Sequence, residues 1–322
     1  MNVLIWHVHA AWTTALVSGR HTYLVPVVPD RGPDGRGRAR TYDWPASAVE
    51  VAPQDLASAE VDAVVLQRPE DEILARRWLG GRVPGRDVPA VWVEHNAPQG
   101  RIADLRHPAA DRDDLVLVHV THTNALFWDS GATPTRVIDH GIPDPGHRWT
   151  GELERAAVVV NEAGRRGRVT GTDLLPALSR ALPIDLFGIG SEDAAETLRA
   201  DGADVTGMGD LPHDELAAEV AKRRVYLHPV RWTSLGLSLL EAMHLGMPVV
   251  ALATTEVPEA VPPEAGVVSN RLPVLADALR RLARDHEEAA RMGKAGRAAA
   301  LERYGLERFL ADWDALLAEV VA

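Results

Sequence analysis

Residues 226–260, YLHPVRWTSLGLSLLEAMHLGMPVVALATTEVPEA, set a strand, a tight loop, a helix and a second strand in direct succession. Val225 to His228 is short, apolar and rich in β-branched or aromatic side chains, which suits a buried strand, and Pro229 ends it. Thr233 and Ser234 are competent N-caps. Beyond them Leu237, Leu239, Leu240, Met243 and Leu245 cover most of a helix surface, which predicts a helix packed on several sides. Gly246 and Pro248 stop it, and Val249 to Leu252 forms the second strand. Strand, helix and strand in such close order make a βαβ unit of a parallel sheet, which commits the chain to an α/β architecture.

Two residues in this stretch carry chemistry beyond the fold. Gly236 stands where the chain leaves a strand and enters a helix. A missing side chain there lets backbone N–H groups at the positive helix end approach an anion such as a diphosphate. A glycine needed only for packing is the competing reading. Glu241 lies further along the same mostly apolar helix, where a buried carboxylate needs a partner that a ribose diol supplies. Ser238, Glu241 and His244 recur at helical spacing, so a solvated polar stripe explains Glu241 equally well.

The run SLGLSLLEAMHLGMPVVA resembles the signature of family 4 glycosyltransferases (glycosyl transferases group 1), which share the two-domain GT-B fold. The resemblance implies that Glu241 holds the ribose of a nucleotide, as does the second of the two glutamates in the family motif. Thr233 stands at the first glutamate, which in the family holds the donor sugar; a hydroxyl has neither the charge nor the reach of a carboxylate. By the same resemblance Ser234, Gly236 and Leu237 belong to the donor-binding loop, and Glu256 or Glu259 replaces the contact missing at Thr233. Helix capping is the other reading of Glu259.

At 322 residues, 46% hydrophobic and 25% charged, the chain is long enough for two domains, each with its own core. A net charge of −12 argues against nucleic acid as the main partner. With no cysteine, disulfides, thiolate metal sites and cysteine nucleophiles are excluded. No apolar run approaches a membrane span, and MNVLIWHVH lacks a basic region or cleavage site, so a cytoplasmic location is expected. Lys222 and Lys294 are the only lysines; the positive charge is otherwise arginine, whose fork suits phosphate.

In chain order, Met1 to Val8 predicts a strand followed by a short helix capped by Thr13 or Thr14. Ala10 and Ala11 occupy the place where the family sets a glycine pair against the diphosphate. His7 and His9 alternate like strand side chains without a clustered third ligand, so no metal site is expected. His21 to Val28, Val61 to Leu66, Val88 to Val93, Leu115 to Val120 and Thr135 to Ile142 read as further strands, and Asp30 to Arg40 as a loop without periodicity that is expected to be mobile. The strand ending at Val93 delivers Glu94, His95 and Asn96 to the C-terminal sheet edge, where open α/β sheets bind ligands. The resemblance places His95 beside the donor sugar; a structural histidine is the other reading. Asp111 and Asp113 precede a strand, at the wrong sheet edge for a metal motif, and read as a turn.

The second half repeats the alternation, with strands over Ala156 to Val160, Ile184 to Gly188 and from Val205. Between the first two lies a loop whose Arg165, Arg166 and Arg168 are candidates for gripping a diphosphate, because Thr170 stands where the family has lysine. Gly188-Ile-Gly190 lacks a third glycine and is followed by acidic residues, which disfavours a dinucleotide-dependent oxidoreductase. Residues 273–286, 287–303 and 304–321 predict amphipathic helices. The expected organisation is GT-B, an α/β chain with two Rossmann-like, doubly wound domains facing across a cleft. Residues 1–145 form the acceptor side, 146–303 bind the nucleotide sugar, and 304–322 return toward the first domain. The resemblance implies a retaining, metal-independent glycosyltransferase using a nucleotide-diphosphate sugar as co-substrate, with no cofactor. The acceptor is a small molecule, glycan or lipid. A GT-B nucleotide-sugar epimerase and a degenerate, non-catalytic GT-B binding protein are the alternatives.

Overall fold

The computed structural model describes residues 1–322 and divides into two compact units, Met1–Gly141 with Leu306–Ala322, and Ile142–Gly305. The first unit is a seven-stranded sheet of β1 (Asn2–Ile5), β2 (Thr22–Pro26), β3 (Ala48–Val51), β4 (Ala63–Leu66), β5 (Ala90–Glu94), β6 (Val116–His119) and β7 (Thr135–Val137). All pairings are parallel and the spatial order is β3-β2-β1-β4-β5-β6-β7. Such strands are covered on both faces and therefore read as unbroken apolar runs, as Ala63–Leu66 does with all four residues buried. One face packs Val3, Ile5, Val65, Val91 and Val93 under Trp12, Phe309 and Trp313; the other packs Leu4, Trp6, Val64, Leu66 and Trp92. The C-terminal helix Leu306–Val321 belongs to this unit, with Phe309, Trp313, Leu316 and Leu317 buried on one side. Trp12 meets both Trp313 and Phe309 edge-on, an arrangement aromatic quadrupoles favour.

The second unit is a six-stranded parallel sheet of β8 (Leu153–Val159), β9 (Ile184–Phe187), β10 (Val205–Gly207), β11 (Arg223–His228), β12 (Val249–Ala251) and β13 (Gly266–Val268), in the order β10-β9-β8-β11-β12-β13. In both sheets the order reverses beside the first strand, between β1 and β4 and between β8 and β11. Connections leave that point in opposite directions, so a crevice opens at the C-terminal strand ends, where doubly wound sheets hold ligands.

Local details depart from the sequence reading. Two strands, Ala48–Val51 and Gly266–Val268, had no counterpart there. The first has Val49 exposed and a proline on either side, at Pro45 and Pro53; the second has three residues. Neither offers a run long enough to stand out. Thr13 and Thr14 do not cap the first helix, which spans Ala10–Val17 with His9 as N-cap; Thr13 is buried within it and Thr14 bonds back to the Ala10 carbonyl at 2.7 Å. The central helix begins at Leu237, not at Thr233 or Ser234, and its N-cap is Gly236. Ser234 and Leu235 are buried, which spends the turn before the helix on packing. The 30–40 loop is tied down: Arg31 pairs with Glu50 at 2.8 Å, and Arg38 donates to the Pro45 carbonyl at 2.8 Å. No helix is long and apolar enough to cross a membrane.

Candidate active site

In the second unit the β8/β11 switch point is built from two loops. One runs from Asn161 to Asp173 after β8; the other runs from Pro229 to Gly236 after β11. They are knitted together by backbone and ion pairs. Arg231 N–H donates to the Val169 carbonyl at 2.9 Å, and the Arg231 guanidinium donates to the Arg168 carbonyl at 2.7 Å and grips Asp173 with both nitrogens. Gly171, at φ +76°, lies so close to the Pro229 backbone that a side chain there would collide with it.

Helix Leu237–Leu245 starts at this edge with its positive end exposed by Gly236. A methyl carbon added at Gly236 would lie 2.6 Å from His228 Cε1. Gly236→Ala is therefore expected to cost about 1–3 kcal/mol of overpacking, read as a lower Tm of the second unit; an unchanged Tm would show that the N-cap is not held against the imidazole.

The polar residues of this helix are not a solvated stripe. His244 is fully buried with its Nδ1 on the Leu240 carbonyl, and Ser238 accepts from Tyr226 Oη at 2.9 Å and donates to the Val159 carbonyl. Glu241 is half-buried. Burial pushes its carboxyl pKa up, and the opposing positive influence comes from His213, at the start of helix His213–Val220.

The three arginines have different surroundings. Arg165 is exposed and held by Glu162, and Arg168 is exposed and paired with Asp173 at 3.0 Å. Arg166 is half-buried and has no carboxylate in ion-pair distance. Thr170 is buried, with its hydroxyl on the Gly167 carbonyl and against Thr172. Thr233 is half-buried at the loop. Glu256 is wholly buried with one oxygen 3.1 Å from the Arg303 guanidinium.

In the first unit the C-terminal sheet edge gathers three imidazoles, His9 after β1, His95 after β5 and His140 after β7, beside Trp12. The His9 and His95 rings are 4.2 Å apart, and the Trp12 ring is 4.6 Å from His95. Burial, then the neighbouring His9 and His140, holds His95 well below the ordinary imidazole pKa, so it is neutral near pH 7. Gln67, after β4, sets its tautomer. The Trp6 carbonyl can only accept, so it takes the Gln67 amide N–H at 2.7 Å and turns Gln67 Oε1 toward His95 Nε2 at 3.0 Å. His95 thus donates from Nε2, and Nδ1 carries the lone pair. Glu94 turns the other way, accepting from Asn96 N–H and from His107 Nε2. Ala10 and Ala11 are half-buried at the start of helix Ala10–Val17, on the same edge. No group of three His, Asp or Glu side chains is placed to hold a metal ion.

The sequence reading missed Gln67, His140, His228 and Arg231. A usable signal existed for His228, a polar residue ending an otherwise apolar strand run. For the others only their position after a strand marked them.

Residues 172–285 match a family model described as glycosyl transferases group 1. Sulfoquinovosyl transferase SQD2 of Arabidopsis thaliana is 31% identical over 219 residues, covering 61% of this chain and 41% of that protein. The chain thus spans less than half the length of that relative. Among solved structures, sucrose-phosphate synthase from Thermosynechococcus elongatus superposes with a TM-score of 0.74 at 16% identity, over 99% of this chain and 98% of that one. HepE of Anabaena, in complex with UDP and glucose, gives 0.69 at 13% identity over 98% and 99%. At these identities the superpositions show a shared fold. Two parallel doubly wound sheets and a matched domain over residues 172–285 make this a GT-B-fold chain that resembles the group 1 glycosyltransferases.

Proposed function

We propose that the chain is a glycosyltransferase that moves a sugar from a nucleotide-diphosphate sugar to an acceptor, with retention of anomeric configuration and without a metal ion or other cofactor. The observation that carries this reading is the half-buried Glu241, whose helix begins with a glycine cap at the β8/β11 switch point. The diphosphate takes the helix N-terminus, and the ribose hydroxyls donate to Glu241. Arg166 supplies the positive charge toward the phosphates, since Arg165 and Arg168 are engaged by Glu162 and Asp173. In the transfer the bond from the anomeric carbon to the phosphate oxygen breaks, the acceptor oxygen bonds to that carbon, and the acceptor proton ends on the departing diphosphate. Helix N-terminus and arginine both stabilise the charge that develops there. The acceptor is held by the first unit, with His95 against the sugar. A uridine donor is favoured, because the HepE structure holds UDP.

Loss of two hydrogen bonds to a charged group sets the scale for Glu241→Ala: UDP affinity by calorimetry is expected to fall about 100-fold or more. An unchanged affinity would overturn the site assignment. The ionised form accepts the ribose, so wild-type affinity is expected to rise with pH through the raised Glu241 pKa.

A binding-only protein is the second reading, favoured by Thr233 in place of a carboxylate and by Glu256 being committed to Arg303. It predicts tight nucleotide binding and no turnover with any of a panel of nucleotide sugars.

A further inference from the structure

We propose that His228 is a diphosphate-binding residue, its imidazole N–H donating to an oxygen of the phosphate that the N-terminus of helix Leu237–Leu245 receives. The inference rests on the nucleotide-sugar reading above and adds a residue to it.

His228 is 1% exposed at the C-terminal end of β11, at the switch point of the second sheet. Neither ring nitrogen has a hydrogen-bond partner within the protein. A buried polar group left so costs about 1–3 kcal/mol, a penalty that persists only where packing imposes it or a ligand relieves it. The ring's orientation favours the ligand. From the position a Cβ would take at Gly236, His228 Cε1 is 2.6 Å away, Nε2 3.2 Å and Nδ1 3.7 Å. The ring edge led by Cε1, with Nε2 the nearer nitrogen, therefore faces the N-cap of the central helix, and both nitrogens are buried beside the Gly236 backbone.

Backbone N–H groups at a helix start and a side-chain N–H converging on one place form an oxygen-anion site. Burial pushes the imidazole pKa down to about 4, with no neighbouring charge contributing, so at neutral pH the ring keeps one N–H donor and one lone pair. A neutral donor adds a hydrogen bond to the helix dipole and the arginine without adding a buried charge. The same contact strengthens as charge builds on the departing diphosphate, which is where a transferase gains from it.

Calorimetric titration with UDP and with uridine separates the roles. His228→Leu is expected to weaken UDP binding about tenfold or more and to leave uridine binding unchanged, while His228→Gln, which keeps a donor, recovers part of the loss. Equal losses for UDP and uridine, or no loss for either, would overturn the proposal in favour of a packing role. Wild-type protein labelled with heavy nitrogen in its histidines gives a check that needs no variant. A buried imidazole resonance is expected to shift on adding UDP and to stay in place with uridine; no shift with UDP overturns the proposal even if the leucine variant fails to fold. Should wild-type protein bind no nucleoside diphosphate at all, the nucleotide-sugar reading fails first and the role of His228 falls with it.

Discussion

Acidification from about pH 7.5 to about pH 5 is expected to remove roughly 5 kcal/mol of stability through four buried groups, well before ordinary carboxylates titrate. Burial pushes His119, His140 and His228 down to about 4, against 6.5 for a free imidazole. In each, at least one ring nitrogen has no partner. The unfolded chain therefore takes up protons that the folded chain refuses, over the window from 6.5 down to about 4. Stability held by these groups is complete above pH 6.5 and is lost as pH falls toward 4. At pH 5 each has given up about 2 kcal/mol. Asp71 works in the opposite sense: burial raises its pKa to about 6, so its protonation favours the folded state as pH drops and returns about 1 kcal/mol. The balance is a net loss comparable to a large part of the 5–15 kcal/mol typical of a domain. Calorimetric scans at the two pH values test it. His119 and His140 belong to the first unit and His228 to the second, so the transitions of both units are expected to move down. Equal Tm values at the two pH values would show that water reaches these rings.

His95→Ala is expected to lower kcat about 10²-fold or more while leaving UDP affinity where it was. On the proposed function the nucleotide is held by residues of the second unit and the sugar lies against His95 of the first, so its loss is expected in kcat rather than in UDP affinity. His95 is neutral, wedged between His9 and Trp12, and its Nε2–H is committed to Gln67. It is therefore a preorganised dipole of fixed orientation, and electrostatic aid of that kind costs no reorganisation when charge develops. Steady-state rates with a nucleotide sugar, measured beside a calorimetric Kd, separate the two effects. A kcat within threefold of wild type would remove His95 from the site.

The α/β class and both Rossmann-like sheets were legible in residue order, because parallel strands buried on two faces advertise themselves as apolar runs such as Ala63–Leu66 and Val249–Ala251. The signature around Glu241 was legible for the same local reason, since strand, glycine, helix and carboxylate are neighbours in sequence. Edge strands Ala48–Val51 and Gly266–Val268 were not, because short, half-exposed segments become strands through their ladder partners rather than through their own pattern. Nor could residue order show that Arg165, Arg168 and Glu256 are bound to Glu162, Asp173 and Arg303 while Arg166 is not.

The sequence by itself determined the interior strands of both sheets and that a carboxylate lies along the helix after β11; the edge strands Ala48–Val51 and Gly266–Val268 and the glycine cap of that helix came from the structure. Only the tertiary structure decided that His9, His95 and His140 share one sheet edge, that Gln67 sets the His95 tautomer, and that His228 turns its Cε1 edge, with Nε2 the nearer nitrogen, toward Gly236. The physical reason is that hydrophobic periodicity is a local property of the chain. Protonation state, tautomer and ion-pair choice depend on groups far apart in sequence that meet only after strands have been ordered about a switch point.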